Sequence, residues 1–255
     1  MSYILPKPLK VGDTIGVIAP SGPICEQEAI YRAKSFFETM GYQVVFSKHL
    51  FEQDRYLSAP DNARLEDIHW AFSNDEIDTI ICARGGYGAL RLINDIDYNL
   101  IKSNPKNFCG YSDITVLSAM FLKRANLITY SSPMMKGDFG AEKKDKFTMD
   151  SFFKAITNQP QTLIGQKVHK EGKCEGILWG GNLASIVSLA GIDFIPDEDF
   201  IFFAEDLNEP VYKIDKMLTQ LMNIEQFRTN VQQLKDGGIT VNQAYSEIDI
   251  IRELD

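Results

Sequence analysis

The sequence predicts an α/β protein built on a parallel sheet and followed by a smaller second domain. Through the first half of the chain, short apolar runs alternate with helical patterns of about 10 to 15 residues, as βαβ units require. The apolar runs are nearly continuous instead of alternating, which is typical of strands covered by helices on both faces. After about residue 165 the pattern changes, and this change predicts the second domain.

Five strands with helices between them are predicted in the first half of the chain. The strands are residues 14–20, 42–47, 78–83, 107–110 and 127–132, and the helices are residues 27–40, 63–74, 89–96 and about 113–123. In an open parallel sheet, ligands bind beyond the carboxyl ends of the strands. Three segments fall there together: APSGP after the first strand, ARGGYG after the third, and Ser112 after the fourth.

The rest of the chain is interpreted as a linker and a second domain. Residues 134–165 are polar and irregular apart from a predicted helix at 147–157. The predicted division is therefore a first domain at 1–140, a linker at 141–165 and a second domain at 166–255.

Within the second domain, the pattern predicts a strand-like start in residues 175–191, a strand at 199–206 and a helix at 209–221. After about residue 228, two amphipathic helices are predicted from the spacing of Val231, Leu234, Ala244, Ile248, Ile251 and Leu254.

Composition narrows the classes of partner. The chain carries 26 Lys and Arg against 35 Asp and Glu, a net charge of −9, which argues against nucleic acid or an anionic membrane surface as the main partner. No apolar run approaches the roughly 18 residues of a membrane span. The four cysteines form no C-x-x-C pair, and the N-terminus does not resemble a secretory signal. A reduced, cytoplasmic setting is therefore predicted.

Ser112 has two interpretations. It stands between a predicted strand and a predicted helix, where a serine commonly caps the helix N-terminus. A tight turn at the same place would instead expose the hydroxyl as a nucleophile, with helix N–H groups nearby to stabilise negative charge. The surrounding sequence is not G-x-S-x-G, so it does not match the nucleophile turn of the α/β-hydrolases.

The glycine-rich segment RGGYG, residues 84–88, also has several interpretations. It is a plain turn, a phosphate-binding loop, or a source of backbone N–H groups for an oxyanion. No G-K-[ST] follows, and the order G-G-x-G differs from G-x-G-x-x-G, so nucleotide binding is disfavoured. The oxyanion interpretation requires a nearby nucleophile, and Ser112 follows the next strand in the sequence.

Two residues of the second domain are further candidates. Glu205 closes a strongly apolar strand, either as an ordinary surface carboxylate or as the acid that orients a catalytic histidine. Trp179 precedes Gly-Gly-Asn, either as a core residue or as an aromatic wall of a binding site.

Five motifs in order resemble one family. They are ARGGYGALRL, GYSDIT, ITYSSPMM, GILWGGNL and FFAEDLNEPVYKIDKMLTQL, and the similarity extends from about Leu9 to about Leu221. Together they resemble the LD-carboxypeptidases, serine peptidases that include murein tetrapeptide carboxypeptidase and the microcin immunity peptidases. The resemblance implies a Rossmann- or flavodoxin-like domain, a smaller β-rich C-terminal domain that would be incomplete here, an active site between them, and a homodimer.

The resemblance also implies an activity and its residues. The expected reaction releases a terminal D-amino acid from an L,D-peptide bond in peptidoglycan-derived peptides recycled in the cytoplasm, without a metal or organic cofactor. Ser112 would be the nucleophile and Glu205 the acid of the triad. The oxyanion hole would use the N–H groups of Asp113 and Gly86, while the substrate would be bound by Arg84, Trp179 and Asn182.

The sequence departs from the family at the triad histidine. The family places this histidine in the C-terminal domain after the acid, whereas the histidines here are His49, His69 and His169, all before Glu205. The sequence after about residue 228 also differs from the family's ending. Three explanations stay open: a truncated or spliced chain, a protein that binds muropeptides without cutting them, or recruitment of another histidine, His169 being the least implausible.

Overall fold

The computed structural model describes residues 3–162 and 175–233. The chain divides into two compact units, Met1–Gln161 and Thr162–Asp255. The boundary falls within residues 141–165, which the sequence predicts as a linker.

The first unit is built on a four-stranded parallel sheet, which confirms the predicted fold class. Its strands, in chain order, are β1 (Thr14–Ile18), β2 (Gln43–Phe46), β3 (Thr79–Cys82) and β4 (Asn107–Cys109). They lie side by side in the order β2-β1-β3-β4. All residues of β1, β3 and β4 are buried, as expected for strands covered on both faces.

The described helices of the first unit mostly coincide with the predicted ones. They are α1 (Gln27–Thr39), α2 (Asp61–Ser73), α3 (Tyr98–Ser103), α4 (Thr115–Ala125) and α5 (Lys146–Ile156). Short 3₁₀ turns lie at Ala89–Arg91 and Ser112–Ile114, and a π-helical turn lies at Met135–Phe139. Among the described residues, no helix combines the length and the apolar character needed to cross a membrane.

Two predicted elements of the first unit are wrong. The helix at 89–96 is only a 3₁₀ turn at Ala89–Arg91, and a new helix starts where the Asp97 side chain accepts hydrogen bonds from two backbone N–H groups. The strand at 127–132 is replaced by isolated bridges, from Leu127 to Ile4 and from Tyr130 to Cys109. The segment changes partner along its length, so no continuous ladder forms.

Helix α5 packs against the first unit. Its Phe152 and Ile156 are buried in the same hydrophobic cluster as Phe37 and Phe139. The Phe139 ring centroid lies 4.7 Å from that of Phe37 and 4.9 Å from that of Phe152. Aromatic contacts therefore attach this helix to the sheet-covering layer of the first unit.

The described part of the second unit contains a two-stranded parallel sheet and short helices. Strands β5 (Ile177–Asn182) and β6 (Phe200–Glu205) pair along their whole length. The helices are α6 (Leu183–Val187), α7 (Val211–Met222) and α8 (Glu225–Gln233). Val231, predicted on the apolar face of a helix, is buried in α8, while Leu234 and the second predicted tail helix lie outside the described residues.

Candidate active site

Ser112 occupies a strained position at the end of β4. The chain leaves β4 at Cys109, enters a 3₁₀ turn at Ser112–Ile114 and continues directly into α4. The φ of Ser112 is +61°, in the left-handed region, which costs a non-glycine residue about 1–3 kcal/mol. The N-cap interpretation is wrong, because the N-cap residues are Tyr111 for the 3₁₀ turn and Ile114 for α4, and no side chain caps either helical segment.

The glycine-rich loop after β3 borders Ser112. A β-carbon built at Gly85 would lie 3.0 Å from Cβ and 3.1 Å from Oγ of Ser112, and 3.5 Å from the backbone nitrogen of Asp113. These separations leave little room for a side chain. Glycine at position 85 therefore maintains a small hollow that the Ser112 hydroxyl and the Asp113 N–H both border.

Gly86 and Arg84 lie on the same loop. The carbonyl oxygen of Gly85 accepts a hydrogen bond from Gly22 N at 3.1 Å, so the N–H of Gly86, antiparallel to that carbonyl in a trans peptide, points away from Gly22. Arg84 donates from Nη1 to Pro23 O at 2.8 Å. A β-carbon built at Gly86 would lie 3.6 Å from Arg84 Nη2, so the guanidinium lies beside this glycine.

The Asp113 side chain joins the loops around this hollow. Its Oδ2 accepts hydrogen bonds from Ser21 Oγ at 2.7 Å and from Ala89 N at 2.9 Å. Ser21 follows β1, Ala89 follows the glycine loop, and Asp113 directly follows Ser112. The residues after three neighbouring strands are thus connected through one buried carboxyl oxygen.

Arg64 of α2 joins the same loops from the other side. Its side chain is 1% exposed, and it donates from Nε to Ala59 O at 3.1 Å and from Nη1 to Gly88 O at 2.9 Å. Nη1 also donates to Pro20 O, and Nη2 pairs with Asp61. Burial lowers the pKa of Arg64, while Asp61 acts in the opposite direction.

Arg64 was not predicted as part of the site, although its position in the sequence indicated a buried charge. Its spacing from Ile68 and Ala71, four and seven residues away, puts it on the buried face of α2. A charged residue at such a position needs several hydrogen-bond acceptors, and the loop carbonyls supply them.

The two described histidines are engaged elsewhere. His49 Nδ1 lies 2.8 Å from Glu52 Oε1, and its Nε2 lies 3.2 Å from Glu66 Oε2. The hydrogen bond to Glu52 raises the pKa of His49, with burial opposing it. His69 Nε2 accepts from Asp97 N at 3.0 Å, and burial lowers the pKa of its ring. His169 lies outside the described residues.

In the second unit, the strand register brings Asn182 and Glu205 together. They are partner residues at the carboxyl ends of β5 and β6. Asn182 Oδ1 accepts from Ser185 N at 3.0 Å and caps α6. Its Nδ2 donates to Asp206 Oδ1 at 3.3 Å, and the other carboxylate oxygen of Asp206 accepts from Ala184 N at 3.1 Å. Asp206, which the sequence analysis did not single out, thus connects the end of β6 to the start of α6.

Trp179 belongs to the core of the second unit. Only 4% of the side chain is exposed. Its ring centroid lies 4.9 to 6.4 Å from the centroids of four phenylalanines, Phe194, Phe200, Phe202 and Phe227. This packing matches the core interpretation, and the role of Trp179 in a substrate cleft stays a prediction.

The described residues show no candidate metal centre, because no three His, Cys, Asp or Glu side chains among them are suitably grouped. Cys109, close to Ser112 in the chain, is completely buried, and burial raises the pKa of its thiol to about 12. Cys109 is therefore unsuited to act as a thiolate nucleophile at neutral pH.

Both units of the chain are similar to domains of known proteins. The chain matches the LD-carboxypeptidase N-terminal domain over residues 15–132 and the LD-carboxypeptidase C-terminal domain over residues 175–232. It is 38% identical over 222 residues to a probable murein peptide carboxypeptidase of Bacillus subtilis, covering 85% of this chain and 69% of that protein.

Two solved structures are also similar. The MccF-like protein of Bacillus anthracis aligns with a TM-score of 0.80 and 31% identity, covering 88% of this chain and 78% of that one. Muramoyltetrapeptide carboxypeptidase from Oxalobacter formigenes aligns with a TM-score of 0.75 and 30% identity, covering 84% and 73%.

Proposed function

Because the chain belongs to the LD-carboxypeptidase family, we propose that it is a serine carboxypeptidase that releases terminal D-alanine from murein tetrapeptide. The observation that carries the proposal is the left-handed Ser112, held against Gly85 beside the Asp113 N–H. Cytoplasmic recycling of peptidoglycan peptides and assembly as a homodimer are parts of the same proposal.

In the first step, Ser112 Oγ attacks the carbonyl carbon of the residue that precedes D-alanine. A carbon–oxygen bond forms, the proton of the serine hydroxyl passes to a water molecule, and the carbonyl oxygen becomes negatively charged. The N–H groups of Asp113 and Gly86 are the proposed donors to this oxyanion. In the described part of the first unit, no acceptor uses the Gly86 N–H, so it is available for this role.

The tetrahedral intermediate then collapses. The carbon–nitrogen bond breaks, D-alanine leaves as an amine that has gained a proton, and the remaining tripeptide stays on Ser112 as an ester. Water hydrolyses the ester, which returns the serine hydroxyl and releases the tripeptide. Glu205 is proposed as the carboxylate that orients the water molecule that takes the serine proton and gives it to the leaving amine.

Arg84 and Asn182 are proposed to bind the peptide. In the described part of the first unit, Arg84 donates a single hydrogen bond, to Pro23 O, so its other N–H groups are left for a ligand. A guanidinium is well suited to a carboxylate, and murein peptides carry several. Asn182 lies beside Glu205 in the strand register, and its bonds to Ser185 and Asp206 fix it at the carboxyl end of β5, where it is proposed to contact the peptide. Trp179 would act indirectly, as support for this strand.

A second candidate function is muropeptide binding without cleavage. It is supported by the two histidines that the structure describes, His49 and His69, whose rings are engaged by other groups. A serine without a base is a weak nucleophile, and loss of a triad member leaves only about 10³–10⁴-fold of catalysis over water.

One experiment separates the two candidates. The protein is incubated with L-Ala-γ-D-Glu-meso-diaminopimelate-D-Ala, and the released alanine is measured by chromatography that resolves and quantifies both enantiomers. Ser112→Ala and a tetrapeptide ending in L-alanine are the controls, and calorimetry measures binding. Release that requires both Ser112 and the D-residue supports the peptidase. Binding without release supports the second candidate, and neither release nor binding contradicts both.

A further inference from the structure

The conformation of Ser112 needs an explanation, because a left-handed serine persists only where its surroundings enforce it. We propose that Ser21 and Asp113 form a positioning pair that holds Ser112 in this conformation. Neither side chain needs to touch the substrate. The catalytic consequence rests on the proposed function, whereas the structural consequence does not.

The pair acts on the peptide bond next to the nucleophile. Asp113 directly follows Ser112, so fixing the Asp113 side chain fixes the plane of the peptide that joins the two residues. The bonds that fix it are short and sheltered: 2.7 Å from Ser21 Oγ and 2.9 Å from Ala89 N. Ser21 is fully buried and Asp113 is 8% exposed, so water does not readily replace either donor.

Backbone hydrogen bonds also fix Ser21 and the residue after it. Its carbonyl oxygen accepts from Ser58 N at 3.0 Å, and the next residue, Gly22, donates to Gly85 O at 3.1 Å. The loop after β1 therefore contacts Gly85 through its backbone and Asp113 through the Ser21 hydroxyl. Gly85 and Asp113 both border Ser112. The loop after β1 therefore sets the distance between Gly85 and Asp113.

Removal of the Ser21 hydroxyl should release one side of this arrangement. Asp113 would keep only the Ala89 donor, and the Ser112 peptide could relax toward the right-handed region that serine prefers. The hydroxyl of Ser112 would then no longer face the hollow at Gly85. The groups proposed to bind the substrate, such as Arg84, take no part in the hydrogen bond between Ser21 and Asp113. The loss should therefore appear in kcat and not in KM.

Ser21 Oγ and Ala89 N donate to the same oxygen of Asp113. Substitutions of Asp113 can therefore test whether the position of this acceptor or its negative charge matters more. In Asp113→Asn, the amide oxygen can take the place of Oδ2 and accept both hydrogen bonds, whereas Asp113→Ala removes the acceptor. If position matters more than charge, the Asp113→Asn rate should exceed the Asp113→Ala rate by about tenfold or more.

Ser58 provides a matched control for Ser21. Both serines are fully buried. Ser21 belongs to the loop after β1 and Ser58 contacts it, but the Ser58 hydroxyl donates to Ala19 O instead of to Asp113. Ser21→Ala and Ser58→Ala should lower the thermal midpoint by similar amounts. Only Ser21→Ala should lower kcat for D-alanine release, by about tenfold or more, with KM within about twofold of wild type.

Amide hydrogen exchange makes the test independent of activity. Exchange of the segment 111–114 should be about tenfold faster or more in Ser21→Ala and within about twofold of wild type in Ser58→Ala. If wild type releases no D-alanine, the proposed function fails, and this measurement alone decides the positioning role. Equal exchange in the two variants overturns the inference, as does an active Ser21→Ala enzyme with unchanged kcat.

Discussion

The two sets of candidate residues lie at the carboxyl ends of two very different sheets. Ser112 follows a strand of a four-stranded sheet, and buried side chains of Asp113 and Arg64 tie the loops around it together. Asn182 and Glu205 end the two strands of a small sheet whose core is a cluster of aromatic rings. A two-stranded sheet is marginal by itself and depends on such packing.

Because of this difference, substitutions in the first unit should change mainly the local geometry of the site, whereas those in the second unit should change mainly folding stability. In the first unit, the groups near Ser112 are placed by individual hydrogen bonds between loops, so a small substitution should alter reactivity more than stability. In the second unit, the positions of Asn182 and Glu205 follow from the strand register. A β-carbon at Gly180 would overlap Phe203 O, so this position on β5 tolerates no side chain. Substitutions there should act through folding.

The largest expected effect concerns the aromatic core of the second unit. Trp179→Ala should destabilise that unit by about 3–5 kcal/mol, because it removes a buried ring that contacts four others. Leu178→Ala, on the same strand but 68% exposed, is the control and should cost less than about 0.5 kcal/mol. Hydrogen exchange of residues 177–187 in increasing urea measures both. Equal losses would show that the ring cluster does not hold this sheet.

The next effect concerns the hollow beside Ser112. Gly85→Ala should slow D-alanine release by about 100-fold, since the new methyl group would crowd Ser112 Oγ and the Asp113 nitrogen. The free energy of unfolding should fall by only about 1–3 kcal/mol, because the methyl group overpacks Ser112 although the φ of Gly85 is outside the left-handed region. Gly137→Ala is the control, since nothing lies within 4 Å of its new β-carbon. A fully active Gly85→Ala enzyme would refute the assignment of this hollow.

The smallest expected effect is on pH dependence, and it has opposite signs at two histidines. The pKa of His49 is raised, so its contribution is complete below the unfolded value of about 6.5 and is lost as pH rises through the folded pKa. The stability gap between wild type and His49→Gln should therefore shrink from pH 5.5 to about 9. The pKa of His69 is lowered, so wild type should lose stability relative to His69→Gln as pH falls below about 6.5.

Urea midpoints measured across this pH range test both signs. The described residues of the second unit, 175–233, contain no histidine, so their protection from exchange, after correction for the intrinsic pH dependence of amide exchange, should not follow either trend. Slopes of the same sign in the two variants would contradict the assigned environments.

Much of the fold was predictable because it depends on local periodicity. The strands and helices of the first unit follow from apolar runs and helical spacing, and the approach of the glycine loop to Ser112 follows from their position after neighbouring parallel strands. The predictions of a helix at 89–96 and a strand at 127–132 were wrong because tertiary contacts override local periodicity there. Loop contacts and a change of strand partner decided those segments.

The features that hold Ser112 were not predictable from the sequence. The hydrogen bond between Ser21 and Asp113 joins residues 92 positions apart. The left-handed φ of Ser112 follows from such contacts and not from a residue preference, since serine prefers other conformations. In the same way, Trp179 could be assigned to the core only after its ring contacts were known.

The most direct test of the central claim is to look for the acyl-enzyme. Wild-type protein and Ser112→Ala are mixed with the tetrapeptide, quenched in acid and digested, and the segment containing residues 107–117 is weighed by mass spectrometry. We expect a mass increase equal to an esterified tripeptide on Ser112 in wild type, together with D-alanine release, and neither in Ser112→Ala. Undiminished release from Ser112→Ala, or no adduct and no release from wild type, would contradict it.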